Sequence, residues 1–150
     1  VCNDCRSFDD YNTKARVYFK PETELGTLLT SQPDRRGAYD CIALLSGGKD
    51  STYVVCRLVD MGLRVLAVTL DNGYLSDQAK GNIGRVVKAL GVDHRYLSTP
   101  AMNDIFVDSL QRHANVCNGC FKTIYTLSMQ TALAEDIPYI VTGLSRGQFF

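Results

Sequence analysis

The chain lacks an excess of charge of either sign: 16 Lys and Arg offset 16 Asp and Glu within 150 residues, and the balance holds in the first 39 residues too. Proteins that depend on phosphate contacts with nucleic acid carry a net positive footprint, so a dedicated nucleic-acid binder is disfavoured, tRNA binders included. Long apolar runs are also missing. Runs such as Val65-Leu66-Ala67-Val68 fall far short of the roughly 20 residues a membrane helix needs, so no span is expected. Val1-Cys2-Asn3-Asp4-Cys5 shows neither an initiator methionine nor a basic and apolar leader. The expectation is therefore a cytoplasmic protein whose start is trimmed. Prolines number only 4, repeats and low-complexity tracts are absent, and 45% hydrophobic with 21% charged residues is ordinary for one globular domain. Disordered and fibrous classes are excluded.

Six cysteines are present, and their spacing says more than their number. Cys2 with Cys5 and Cys117 with Cys120 form two Cys-x-x-Cys pairs, which in a chain able to build an apolar core read as metal or sulfur chemistry before structural disulfides. By ligand type Cys2 and Cys5 are half of a four-cysteine zinc site. Cys41 and Cys56 stand alone in apolar segments and are expected to behave as small hydrophobes.

Residues 1–38, broken by Pro21, Gly26, Pro33 and Gly37, read as a Cys-containing N-terminal extension, with Glu24 to Thr30 fit for a short helix or turn. From Tyr39 the texture changes. Cys41-Ile42-Ala43-Leu44-Leu45 is a continuous apolar run, as expected of a strand buried on both faces. Ser51 to Met61 follows with a helical apolar spacing and Gly62 as its stop. Arg64 to Leu70 predicts a second strand ending in the turn-prone Asp71-Asn72-Gly73. Ser76 caps a helix closed by Gly91, in which Ala79, Ile83, Val86, Val87 and Leu90 share one face. His94 to Leu97 predicts a third strand, and Thr99-Pro100 a further helix start. Cys117-Asn118-Gly119-Cys120 is read as an interruption, with another helix from about Phe121 to Glu135 and a last strand from Tyr139 to Thr142. The alternation β-α-β-α-β-α-α-β implies a Rossmann-like α/β domain over 39–150, a parallel sheet with helices on both faces.

In such a sheet ligands sit beyond the carboxyl ends of the strands, and the first loop is the usual phosphate cradle. Here that loop is Ser46-Gly47-Gly48-Lys49-Asp50-Ser51. Adjacent glycines let backbone N–H groups approach an anion, Ser46 and Ser51 bring hydroxyls, and Lys49 brings a point charge. The following helix points its N-terminal dipole at the same spot. The spacing matches neither G-x-x-x-x-G-K-[ST] nor G-x-G-x-x-G.

This strand and loop resemble the PP-loop signature of the ATP pyrophosphatase superfamily, whose members bind ATP and release pyrophosphate while adenylating a substrate oxygen. The resemblance implies an adenine nucleotide alpha hydrolase-like fold from about Asp40 onward, expected to continue past Phe150. It implies that the loop holds pyrophosphate, that Lys49 neutralises it, that Asp50 helps hold magnesium, and that Asp71 borders the nucleotide. Where many relatives carry a Gly-His-x-x-Asp-Asp type motif, this chain has Thr142-Gly143-Leu144-Ser145-Arg146. The acidic pair is missing. Gly143 can still admit the α-phosphate and Arg146 can stabilise charge developing on it.

An adenylate needs a nucleophile. Cys120, at the expected start of a helix, gains from the dipole, which favours thiolate over thiol. The placement of Cys117 and Cys120 resembles sulfur-transferring PP-loop enzymes, in which such a pair carries persulfide or holds an iron–sulfur cluster; zinc is the alternative metal. Cys2-Asn3-Asp4-Cys5 upstream of Tyr39-Asp40-Cys41-Ile42 is instead similar to PP-loop amidotransferases acting on N-acetyl sugars. The leading expectation is sulfur transfer to an adenylated small-molecule or carrier-bound acceptor, the second ammonia transfer to the same adenylate, and the third a non-catalytic nucleotide-binding module. A sulfur or ammonia donor protein and a homodimer are compatible partners.

Overall fold

The computed structural model describes residues 13, 20–31 and 37–144. The chain divides into two compact units, Val1–Pro33 and Asp34–Phe150. Within the first, helix α1 spans Glu22–Thr30 and opens after Pro21, with Glu22 and Glu24 in the turn where the dipole favours negative charge.

Among its described residues the second unit holds four strands and four helices: β1 (Cys41–Leu44), α2 (Lys49–Asp60), β2 (Val65–Leu70), α3 (Asp77–Leu90), β3 (Asp93–Leu97), α4 (Met102–His113), α5 (Val116–Ala134) and β4 (Ile140–Val141). The strands form one parallel sheet in the order β3-β2-β1-β4, in register at Ile42 with Leu66, Leu66 with Asp93 and Ile42 with Ile140. The apolar runs are buried as their composition requires, since parallel strands are covered on both faces. Ile42, Leu66 and Val68 pack with Ala132 of α5 and with Ile137. α2 lies against β1 and β2 and touches α3, burying Val55 and Leu58, while Ile83 of α3 is buried as well.

Local chemistry sets the ends. The Ser76 hydroxyl accepts from Ala79 N at 3.2 Å, and Gly91 closes α3 in the left-handed region at φ 62°, both as expected. At the amino end of β1, Asp40 is 5% exposed and accepts from Arg64 N and Nη2, each at 2.8 Å, while Arg64 Nη1 donates to the Gly37 carbonyl at 2.8 Å. The buried carboxylate is thus paired and hydrogen-bonded, as burial of a charge demands.

Two expected boundaries are corrected. Thr99 and Pro100 do not open α4. The Thr99 hydroxyl accepts from Ala101 N at 3.3 Å in a preceding turn, and the helix begins at Met102. The Cys117-Asn118-Gly119-Cys120 stretch does not interrupt the helical pattern but forms the start of α5. The break lies at Ala114, whose φ is 51°, and at Asn115, whose side chain caps α5 by accepting from Cys117 N at 2.7 Å. Gly119 serves packing. A Cβ there would meet Ile105 Cγ2 at 2.8 Å and Ser109 Cβ at 3.1 Å, so α4 and α5 approach closely because it has none. Gly119→Val is expected to destabilise the protein by about 1–3 kcal/mol through overpacking, read as a lower denaturation midpoint.

Candidate functional site

The order β3-β2-β1-β4 places the topological switch between β1 and β4, where an open parallel sheet offers a crevice beyond its carboxyl ends. A cleft of about 600 Å³ lies there, walled by the 46–51 loop, the ends of β1 and β2, Asn72, the first three turns of α5, and Thr142 to Leu144.

The loop is folded by its own hydroxyls. Ser51 Oγ donates to the Gly48 carbonyl at 3.1 Å and accepts from Ser46 N at 3.2 Å, with the Ser46 hydroxyl 3.1 Å away. Ser46 N–H is therefore engaged within the loop, whereas the first-turn N–H groups of α2 have no intrahelical carbonyl and remain free to meet an anion. Gly47 takes φ 80°, and a Cβ on it would lie 2.8 Å from the Ala79 carbonyl oxygen, so the residue is required both by conformation and by the press of α3. Asn82 Nδ2 donates to the Gly47 carbonyl at 3.2 Å from the same side. Lys49 and Asp50 open α2, with Lys49 Nζ 3.9 Å from Asp50 Oδ1 and the lysine side chain 91% exposed. Across the cleft mouth, a Cβ on Gly143 would stand 2.9 Å from Asp50 C, Asp50 O and Ser51 N. The end of β4 is thus seated directly on the first turn of α2.

Cys117 and Cys120 both line this cleft, and the correction to α5 reverses their order relative to the dipole: Cys117 lies in the first turn and Cys120 one turn further in. Asn72 Nδ2 reaches Cys120 Sγ at 3.6 Å. The orientation of that amide is set by Tyr74 N, which donates to Asn72 Oδ1 at 2.9 Å and so leaves the NH₂ end for the sulfur. Asp71, expected at the nucleotide, accepts from Gly73 N at 3.1 Å, and its neighbour Asn72 lines the cleft. Cys41 is buried, and desolvation, aided by the charge of Asp40, pushes its thiol up to about 12, so it is no nucleophile at neutral pH. His113 sits exposed at the end of α4, outside the cleft. Arg146 and the Cys2–Cys5 pair lie outside the described residues.

Among the described residues no three His, Cys, Asp or Glu side chains converge to hold a metal ion, and no helix is long and apolar enough to cross a membrane. Cys117 and Cys120 therefore supply at most two ligands of a cluster or zinc site from this part of the chain.

Comparison with known proteins adds to this geometry. Residues 40–141 match the family described as "Queuosine biosynthesis protein QueC". An uncharacterized protein of Methanocaldococcus jannaschii is 29% identical over 144 residues, covering 95% of this chain and 50% of that protein. A 7-cyano-7-deazaguanine synthase of Methanoregula boonei is 30% identical over 71 residues, covering 47% of this chain and 33% of that protein. The NH3-dependent NAD synthetase of Campylobacter jejuni superposes with a TM-score of 0.66 at 13% identity, over 85% of this chain and 56% of the other, a likeness of fold. The chain spans half the length or less of these curated relatives.

Proposed function

This chain belongs to the QueC family, within the PP-loop ATP pyrophosphatase superfamily, and from that premise we propose that its second unit is an ATP-dependent, adenylate-forming enzyme. The observation that carries the proposal is the cradle at the sheet switch. Glycine backbone, two hydroxyls, the exposed Lys49 ammonium and the first turn of α2 belong to one short loop at the cleft, and Gly143 packs on that turn with no side chain in the way.

An acceptor oxygen attacks the α-phosphorus of ATP and the bond to the bridging oxygen breaks. Pyrophosphate departs into the loop, where the free N–H groups of α2, Ser46, Ser51 and Lys49 stabilise its growing charge. Asp50, exposed beside the loop, is the residue to hold magnesium, which would screen the triphosphate. A nucleophile then displaces AMP from the adenylate. Cys117 and Cys120 stand in the same cleft, which supports sulfur as that nucleophile, delivered through the pair. Nitrogen is the second reading. It is favoured by the names of two relatives, one a synthase of a cyano compound and the other NH3-dependent, and it would use the same adenylate. Zinc or an iron–sulfur cluster at Cys117 and Cys120 belongs to the sulfur reading and would draw its remaining ligands from outside the described residues.

Formation of AMP and pyrophosphate from ATP, tested across small-molecule and carrier-bound acceptors, checks the adenylation step, and its absence with every acceptor would leave a nucleotide-binding module. Isotope-labelled sulfide and ammonia then separate the two nucleophiles. Cys117→Ser is expected to keep adenylation while ending sulfur incorporation, with product yield falling to background. Unchanged yield would assign the second step to ammonia. Metal and acid-labile sulfide content of anaerobically purified protein reports directly on a cluster.

A further inference from the structure

The peptide unit joining Leu45 to Ser46 is the step by which the chain leaves β1 and enters the loop, and side chains from two other elements grip it at both ends. Its carbonyl accepts the Thr69 hydroxyl of β2 at 2.5 Å, and its N–H donates to Ser51 Oγ of α2 at 3.2 Å. A peptide unit is a rigid plane, so fixing its oxygen and its hydrogen fixes the direction in which Ser46 departs.

The carbonyl contact replaces a sheet rung. Leu45 N still donates to the Val68 carbonyl at 2.8 Å, but the paired register of β1 with β2 ends at Leu44 and Val68. The next acceptor along β1, the Leu45 oxygen, takes a side-chain hydroxyl. Leu45 is 1% exposed and Thr69 is 3% exposed, so neither group has water to fall back on. Thr69 has one proton, and a carbonyl can only accept; the proton goes to Leu45. The second contact of Thr69 Oγ1, to His94 Nε2 at 2.9 Å, is then donated by the imidazole, which fixes its Nε2–H tautomer. Burial pushes the His94 pKa down, leaving the ring neutral at neutral pH. Nε2 carries hydrogen in the cation as well, so this relay does not switch off on acidification.

We propose that Thr69, backed by His94, is a positioning residue for the pyrophosphate grip, acting through the Leu45–Ser46 peptide. The inference rests on the loop's role as an ATP site given above. It assigns function to a β-branched strand residue and a strand-start histidine that carry no motif.

The test is calorimetric binding of ATP and, separately, of inorganic pyrophosphate to the intact protein, alongside thermal unfolding. Thr69→Val keeps the shape and removes the hydroxyl, and should weaken both ligands about tenfold or more. Thr69→Ser restores the donor and should return affinity to within about threefold of the parent. His94→Gln, whose amide can still donate, is expected to bind as the parent does, and His94→Leu to bind roughly threefold more weakly. Parent-like affinity in Thr69→Val overturns the proposal, as does failure of Thr69→Ser to restore binding. Should Thr69→Val not fold, unchanged affinity in His94→Leu overturns it instead. A parent protein that binds neither ligand removes the ATP-site reading itself, a result distinct from any difference among the variants.

Discussion

Lys49→Ala should lower the rate of AMP and pyrophosphate formation by about 10²–10³-fold while leaving the melting temperature where it is. The two halves of that expectation have separate causes. The ammonium is the only cation the loop itself supplies, and it acts where charge builds on the departing phosphates, so its loss is felt in the transition state more than in the ground state. The same side chain is 91% exposed and among the described residues pairs with Asp50, at 3.9 Å, so its removal disturbs no packing there. Alanine is also a good residue for the first turn of α2. A pyrophosphate-release assay paired with thermal unfolding checks both halves, and parent-like turnover would take Lys49 out of the mechanism.

Gly143→Ala should have an effect of similar size for a different reason. The added Cβ would stand 2.9 Å from three backbone atoms of Asp50 and Ser51, and backbone cannot swing aside as the tip of a side chain can. Either the end of β4 or the first turn of α2 must move, and that turn holds the N–H groups that receive the phosphates. A displacement near 1 Å in such a site costs roughly 10² in rate, so kcat/KM for ATP is expected to fall about 10²-fold. Gly48→Ala is the internal comparison. Its φ is −86° and the nearest atom to a Cβ is Ser46 Oγ at 3.5 Å, so the free protein accommodates it. Any loss of nucleotide affinity in Gly48→Ala therefore reports the space a ligand needs, whereas loss in Gly143→Ala reports displacement of the loop. Comparable affinity of Gly143→Ala and parent for ATP would show that the cradle tolerates the shift.

Much of the fold was legible from sequence because β1 and β2 are buried on both faces and so announce themselves as apolar runs, as at 41–45 and 65–68. Ser76 and Gly91 were legible because capping depends on a hydroxyl and a left-handed turn that few other residues supply. The α4–α5 boundary was not. It is made by an alanine at φ 51° and an asparagine cap, and nothing in the composition of Ala114 marks it. Gly119 drew the break toward itself because glycine in a helix usually signals an end, whereas here it admits a neighbouring helix. The loop residues of the site were legible as a motif, while Thr69 was invisible: a threonine in a strand is unremarkable until the carbonyl it serves is known. The contact of Asn72 with Cys120 was not legible, since the sulfur it meets lies 48 residues away.

One feature of α5 links core to chemistry. Nineteen residues make a rod about 28 Å long whose far portion, around Ile124, Ser128 and Ala132, is bedded against the sheet, while its tip carries Cys117 and Cys120 into the cleft. That tip is clamped as well, since Ser109 Oγ of α4 donates to the Asn115 carbonyl at 2.5 Å and accepts from Gly119 N at 3.0 Å. The reach of the two thiols toward the loop is therefore set jointly by the α4 contact at Gly119 and by packing on the sheet several turns distant, and selection on sulfur or nitrogen delivery would be written partly in residues that never meet a substrate.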